Sequence, residues 1–198
     1  MANIQNLFGE IDIYLFDQFL RGRITPGMSV LDAGCGYGRN LVYFLNEGYE
    51  VFAADADTRA IEAVRGMAPH LPRTNFRVER IEAMTFLDAS ADLVISSAVL
   101  HFARHDEHFL SMLHGSWRVL RKGGMFFCRL ASNIGMEDRC RRIEGRRFAL
   151  PDGSERYLVD EPMLMRLTEE LGGRLLDPLK TTIVQDRRCM TTWVLRKF

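Results

Sequence analysis

An acidic residue two places ahead of alternating glycines, set between a buried apolar pair and a helical apolar pattern, constrains this chain more than any other feature. The run is Val30-Leu31-Asp32-Ala33-Gly34-Cys35-Gly36-Tyr37-Gly38, with Leu41, Val42, Phe44 and Leu45 following at helical spacing. Val30 and Leu31 read as the end of a buried strand. Alternate glycines let the backbone turn with no Cβ between it and a closely held ligand. The helix expected after them directs its free N–H groups at the same place. The segment reads as a nucleotide-cofactor loop.

The spacing discriminates between cofactors. A pyrophosphate-binding turn carries G-x-G-x-x-G, whereas here the third glycine, Gly38, arrives one residue early. Asp32 would repel a pyrophosphate and would suit an ammonium group. S-adenosylmethionine carries an ammonium on its methionine end, together with a carboxylate that helix N–H groups can hold. A second carboxylate follows 19 residues after Gly36: Val51-Phe52-Ala53-Ala54-Asp55 reads as a buried strand ending in an acid placed to accept from ribose hydroxyls. Asp57 is the nearby alternative, and Ala56 lies between them in the same turn.

These motifs resemble the class I S-adenosylmethionine-dependent methyltransferases. Leu31 to Gly38 is similar to the family's first motif and Asp55 to its ribose-binding acid. Asp92-Leu93-Val94-Ile95-Ser96-Ser97-Ala98-Val99-Leu100-His101 looks like its fourth strand and following loop, and Leu120-Arg121-Lys122-Gly123-Gly124 like the turn before its fifth. The resemblance implies an α/β fold with a doubly wound, seven-stranded sheet, mostly parallel with a C-terminal antiparallel hairpin. It implies S-adenosylmethionine as cofactor, S-adenosylhomocysteine as product, and a cofactor site of Asp32, Gly34, Cys35, Gly36, Gly38, Asp55, Ala56, Ile81, Glu82 and Ser96. The family often has an acid and then a small residue beside the adenine. Those positions fall on Arg80 and Ile81, and Arg80 cannot accept a hydrogen bond. Glu82 or the cover of Ile81 is expected instead. Gly38-Arg39-Asn40 and Gly48-Tyr49-Glu50-Val51 look like the tellurite-resistance-type methyltransferases, which keeps soft nucleophiles among the acceptors.

Element order extends the reading to the whole chain, taken as one domain. An amphipathic helix is expected at about 7–22, then strands at 28–31, 50–55, 75–79, 93–96 and 125–130, with helices at 58–67 and about 106–120 between them. Strands alternating with helices imply parallel pairing with both faces covered. The arginine-rich segment 131–157 reads as a lid-like insert, with Arg139, Arg142 and Arg146 on one helical stripe that either grips an anion or is a solvated face. Asp160-Glu161-Pro162 starts a helix and Leu171-Gly172-Gly173 stops it. Two β-rich runs, 174–185 and 189–197, joined by Asp186-Arg187-Arg188, form the hairpin.

The chain has 198 residues, 47% hydrophobic and 26% charged, with zero formal net charge. Nothing in that balance calls for nucleic acid or a membrane surface as partner. Residues 1–16 hold Glu10 and Asp12 and no lysine or arginine, unlike a signal peptide. Cys35, Cys128, Cys140 and Cys189 are scattered and read as reduced thiols of a cytoplasmic protein. The sequence sets no oligomeric state.

His101 is the candidate general base, because it follows the fourth strand at the edge where such folds hold ligands; alternatively it only shapes the pocket. His101, His105 and His108 share a helical spacing, but no cysteine or carboxylate cluster completes a metal site and none is expected. The expected function is methyl transfer to an O, N or S atom of a small-molecule acceptor. The alternatives are a protein that binds S-adenosylmethionine without turnover and, against the evidence of Asp32 and the early third glycine, an NAD-dependent oxidoreductase.

Overall fold

The computed structural model describes residues 4–198. Its centre is two strands buried along their whole length, β1 (Ser29–Ala33) and β4 (Ala91–Ser97). Strands covered on both faces carry adjacent apolar residues, here Val30-Leu31 in β1 and Leu93-Val94-Ile95 in β4. β1 pairs in parallel with β2 (Glu50–Asp55) on one side and with β4 on the other. β2 pairs onward with β3 (Phe76–Val78), and β4 with β5 (Leu120–Ala131), both parallel. The chain therefore reverses direction across the sheet at β1, and a crevice opens over the carboxyl ends of β1 and β4.

Alternation along the strands divides the core into two layers. Leu31, Val94, Phe126 and Cys128 face one side with Phe109, Leu164 and Trp193; Val30, Leu93, Ile95 and Phe127 face the other with Phe44, Ile61 and Val64. Five helices contribute to these layers or border them: α2 (Ile13–Leu20), α3 (Val42–Asn46), α4 (Thr58–Met67), α5 (Asp106–Val119) and α6 (Glu161–Glu170). Side-chain caps fix the starts of α4 and α6, among others. Asp57 accepts from the Arg59 amide at α4, and Asp160 from the Met163 amide at α6.

The C-terminal hairpin is β10 (Lys180–Val184) antiparallel to β11 (Arg188–Lys197), and β11 is antiparallel to β5. Seven strands thus run in the order β10-β11-β5-β4-β1-β2-β3. A short β9 (Gly173–Leu175) adds to the same edge of β11 beyond β10. Pro178 lies in the gap between β9 and β10, where a residue without an N–H cannot extend a ladder.

Two sequence expectations need correction. The helix expected at 7–22 is two helices, α1 (Ile4–Phe8) and α2, separated where Gly9 takes φ +61° and the Asp12 side chain caps α2 from the Tyr14 amide. The arginine stripe at 139–146 forms no continuous helix: Arg139 ends a short 3-10 turn, Glu137–Arg139, and strands follow from Arg141. That segment forms a separate three-stranded antiparallel sheet of β6 (Arg141–Glu144), β7 (Arg147–Ala149) and β8 (Glu155–Tyr157). Gly145, at φ +52°, closes the first hairpin and the Pro151-Asp152-Gly153 turn closes the second, so local turn chemistry prevails over the apparent helical period. Ala131 belongs to β5 rather than to the insert.

Helix α5 lies unusually close to the short 3-10 turn Ile81–Ala83. A Cβ on Gly115 would stand 2.4 Å from the Ile81 carbonyl oxygen, a backbone atom with no side-chain freedom to yield. Gly115→Ala should therefore destabilise the fold by roughly 1–3 kcal/mol, measured by denaturant unfolding.

Candidate functional site

The bend after β1 is hung on the end of β2. The amides of Gly34 and Cys35 both donate to the Ala54 carbonyl, at 2.8 and 3.1 Å. The Gly36 amide donates to Asp55 Oδ2 at 2.9 Å, and the Asp57 amide to Asp55 Oδ1, also at 2.9 Å. Each carboxylate oxygen thus accepts one backbone proton and keeps lone-pair capacity for hydroxyl groups. Gly34 is required by close approach: at φ +89° its absent Cβ would fall 2.4 Å from Val99 Cγ2 in the loop after β4.

A cavity of about 680 Å³ opens here, walled by Gly34, Cys35, Gly36, Asp55, Ala56, Ile81 and Glu82 among the expected residues. Cys35 forms wall and not nucleophile; burial, with Asp32 and Asp55 nearby, pushes its thiol far above the ordinary range. Asp32 lies behind this wall, 1% exposed, and neither of its oxygens has a hydrogen-bond partner among the described residues. Burial raises its carboxyl to about 7, opposed by Arg39 and reinforced by Asp55. A buried carboxylate without a partner, behind a glycine bend, suits a cationic group entering the crevice.

Three expected residues lie elsewhere. Gly38 backs onto Val64 and Met67 of α4, where a Cβ would meet them at 3.1–3.2 Å, so it packs the loop instead of lining the cavity. Ser96 is fully buried within β4, and strand alternation gives the wall position to Ser97, which donates to Asp12 and accepts from Arg39. His101 lines a second cavity of about 330 Å³, which shares Ala98 and Phe102 with the first. The shared wall is strained, since Ala98 sits at φ +64°.

The geometry of His101 opposes a base role. Its Nδ1 accepts from the Ala131 amide at 3.1 Å, so the neutral ring carries its proton on Nε2 and is a donor there. Burial, with the Arg156 charge second, lowers its pKa to about 4. The other two histidines noted at that spacing are engaged separately, His105 with Glu107 at 2.8 Å and His108 with Glu82 at 3.2 Å.

Sequence reasoning missed Val99, Phe102, His108 and Met112 as cavity residues. His108 and Met112 are one helical turn apart on α5, but that face also carries Phe109 and Leu113 of the core, so periodicity alone marks it as packing. Ser97 shares its strand face with Leu93 and Ile95 of the core, so alternation alone does not single it out; it becomes a wall residue because it ends β4 at the cavity.

Residues 31–128 match the family model described as a methyltransferase domain. With this strand order and loop, that domain is of the class I S-adenosylmethionine-dependent methyltransferase type. The chain is 32% identical over 103 residues to an uncharacterized methyltransferase of Synechocystis sp., covering 52% of this chain and 47% of that protein. The chain spans less than half the length of the curated relatives it matches. Among solved structures, a SAM-dependent methyltransferase from Methanosarcina mazei superposes with TM-score 0.74 at 19% identity, covering 91% of this chain and 97% of that one. The 1,6-didemethyltoxoflavin-N1-methyltransferase of Burkholderia thailandensis gives TM-score 0.68 at 21% identity, covering 92% and 75%. These two likenesses concern the fold.

The state of His101 predicts an acid-sensitive step. Its pKa is near 6.5 in the unfolded chain and about 4 in the fold, so the unfolded chain binds more protons between those values. Stability should fall as pH drops through that window, by about 3 kcal/mol at its lower end. Urea unfolding between pH 7 and pH 4 should show a smaller loss in His101→Gln than in the wild type.

Proposed function

We propose that the chain moves a methyl group from S-adenosylmethionine to an O, N or S atom of a small molecule held in the second cavity. The observation that carries this reading is the pair of carboxylates at the crevice, Asp32 buried without a partner and Asp55 clamped by two loop amides. Together they fit an adenosine with an amino-acid tail and not a diphosphate. In this reading Asp32 answers the methionyl ammonium and Asp55 the ribose hydroxyls. The adenine lies toward Ile81, Glu82 and Met112. Glu82 uses Oε1 for Arg80 and His108, at 2.9 and 3.2 Å, which leaves Oε2 to accept from the adenine amino group. Glu82 thus takes over the role that Arg80 cannot fill.

When bound, the cofactor supplies an electrophilic methyl group on a sulfonium. The chain supplies position. Phe102 and Ala98 separate the two cavities and set the line between donor and acceptor, and alignment of this kind accounts for much of the rate enhancement in such displacements. His101 presents an N–H to the acceptor pocket and orients the acceptor; it does not take its proton.

Calorimetry with S-adenosylmethionine, S-adenosylhomocysteine and NAD tests the cofactor, and labelled-methyl incorporation into a metabolite pool tests turnover. Binding of NAD alone would overturn the reading, and background incorporation would reduce it to a binding protein. Asp55→Ala should weaken S-adenosylhomocysteine binding by roughly 10- to 100-fold, the loss expected for hydrogen bonds to a charged group.

Asp32 gives a pH test with a definite sign. Its free-state pKa of about 7 should fall when an ammonium neighbours it, so the ligand prefers the ionised form and displaces a proton. Affinity should rise from pH 6 to pH 8, with fractional proton release detected by calorimetry in buffers of differing ionisation enthalpy. Asp32→Asn should bind more weakly and show a flat profile.

A further inference from the structure

The polar lining of the second cavity is unbalanced. Arg129, Arg156 and Arg188 stand there with a single carboxylate, Asp152. Arg129 is already answered, with Nη1 3.2 Å from Asp12 Oδ2. Asp152 turns its Oδ1 onto its own loop, accepting from the Ser154 amide at 2.9 Å and the Ser154 hydroxyl at 2.6 Å. Arg156 and Arg188 form no ion pair with any described residue. The insert arginines singled out from the sequence are by contrast committed: Arg139 pairs with Asp186 at 3.2 Å, Arg146 with Asp160 at 2.9 Å, and Arg142 lies over Phe148.

Arg156 is also held in place. Its guanidinium carbon lies 4.9 Å over the Phe102 ring, and Nη1 donates to the Glu155 carbonyl at 2.7 Å. A guanidinium fixed on an aromatic face with unused N–H groups is well prepared for an oxyanion, because its planar fork matches carboxylate and phosphate geometry. His101, with its proton on Nε2, lines the same cavity, and Leu150, Val184 and Met190 give the rest of the lining an apolar character. A pocket of about 330 Å³ is of metabolite size.

We infer that the acceptor carries an oxyanion, a carboxylate or a phosphate, on a small apolar body. Arg156 and Arg188 hold the oxyanion, and the body lies against Phe102 with its accepting atom directed past Ala98 into the first cavity. This inference rests on the methyl-transfer reading above, and it names the acceptor class that reading leaves open.

The test is calorimetry on the full chain saturated with S-adenosylhomocysteine, titrated with benzoate, phenyl phosphate, benzamide and benzylamine. At least one of the two anions should bind tenfold or more tightly than benzamide, and their order tells carboxylate from phosphate. The double variant Arg156→Gln/Arg188→Gln should lose at least tenfold in affinity for that anion with S-adenosylhomocysteine binding unchanged, which also reports an intact fold. Anions that bind no better than benzamide or benzylamine would overturn the inference. So would a double variant that binds them as the wild type does. Failure of the wild type to bind S-adenosylhomocysteine would defeat the cofactor reading instead, and the same titrations on the free protein would then decide the anion site by the same criteria.

Discussion

The carboxylate of Asp55 is the contact on which the crevice depends. It ends β2, which pairs with β1 from Glu50 to Ala54 and with β3 through Asp55 itself, opposite Val78, so its position is as rigid as the sheet. From there it holds the Gly36 amide of one loop and the Asp57 amide of the next. Asp57 in turn caps α4, so one side chain links the glycine bend, the second strand and the helix behind them. The same atoms form the inner edge of the cavity. Loop order and ligand contact are therefore not separable at this residue, and a change there acts through both.

A second carboxylate gathers the opposite rim. Asp12 is 3% exposed, yet its groups are well used. Its amide donates to Asn40 Oδ1 at 3.0 Å, and its side chain accepts from the Tyr14 amide at 3.0 Å, from Arg129 at 3.2 Å and from Ser97 at 3.3 Å. A buried charge is tolerable when it is this fully answered. These partners come from the N-terminal helices, the glycine loop and the ends of β4 and β5. Asp12 thereby ties the first segment of the chain to both cavities, and it takes up the charge of Arg129 that would otherwise stand free in the second.

Where sequence and structure agree, the cause is a signal carried by several neighbouring residues at once. β2 and α4 fall at 50–55 and 58–67 as expected, because an apolar run, an N-cap aspartate and a helical period coincide there. The start of α6 was legible for the same reason, with Asp160 and Pro162 in capping positions. Where they disagree, one backbone angle or one distant contact decides. Gly9 breaks the first helix through a positive φ that no periodicity reveals. The insert forms strands because two turns fold it back on itself. His101 was rightly placed after β4, but its tautomer is set by the Ala131 amide at the far end of β5, thirty positions on in the chain. Arg156 and Arg188 reach one cavity from strands of two different sheets, β8 and β11, and no local pattern relates them.

The chemistry left to the second cavity follows from what its groups cannot do. His101 is neutral, donates at its free nitrogen and would have to break the Ala131 contact to accept there. Asp152 is partly buried, which acts to raise its pKa, but the Ser154 contacts and the charges of Arg156 and Arg188 prevail and hold it below the ordinary carboxylate range, which makes it a weak base. Cys35 is locked as a thiol on the other side of the shared wall. For the proposed reaction this removes proton abstraction as the device and leaves alignment. An acceptor whose reacting atom already presents a lone pair at neutral pH needs nothing more from such a pocket than donors to hold it and an aromatic face to aim it. The arginine and histidine N–H groups serve the first need and Phe102 the second, so the same lack of a base that weakens the catalytic reading of His101 makes an anionic acceptor the more economical partner for this site.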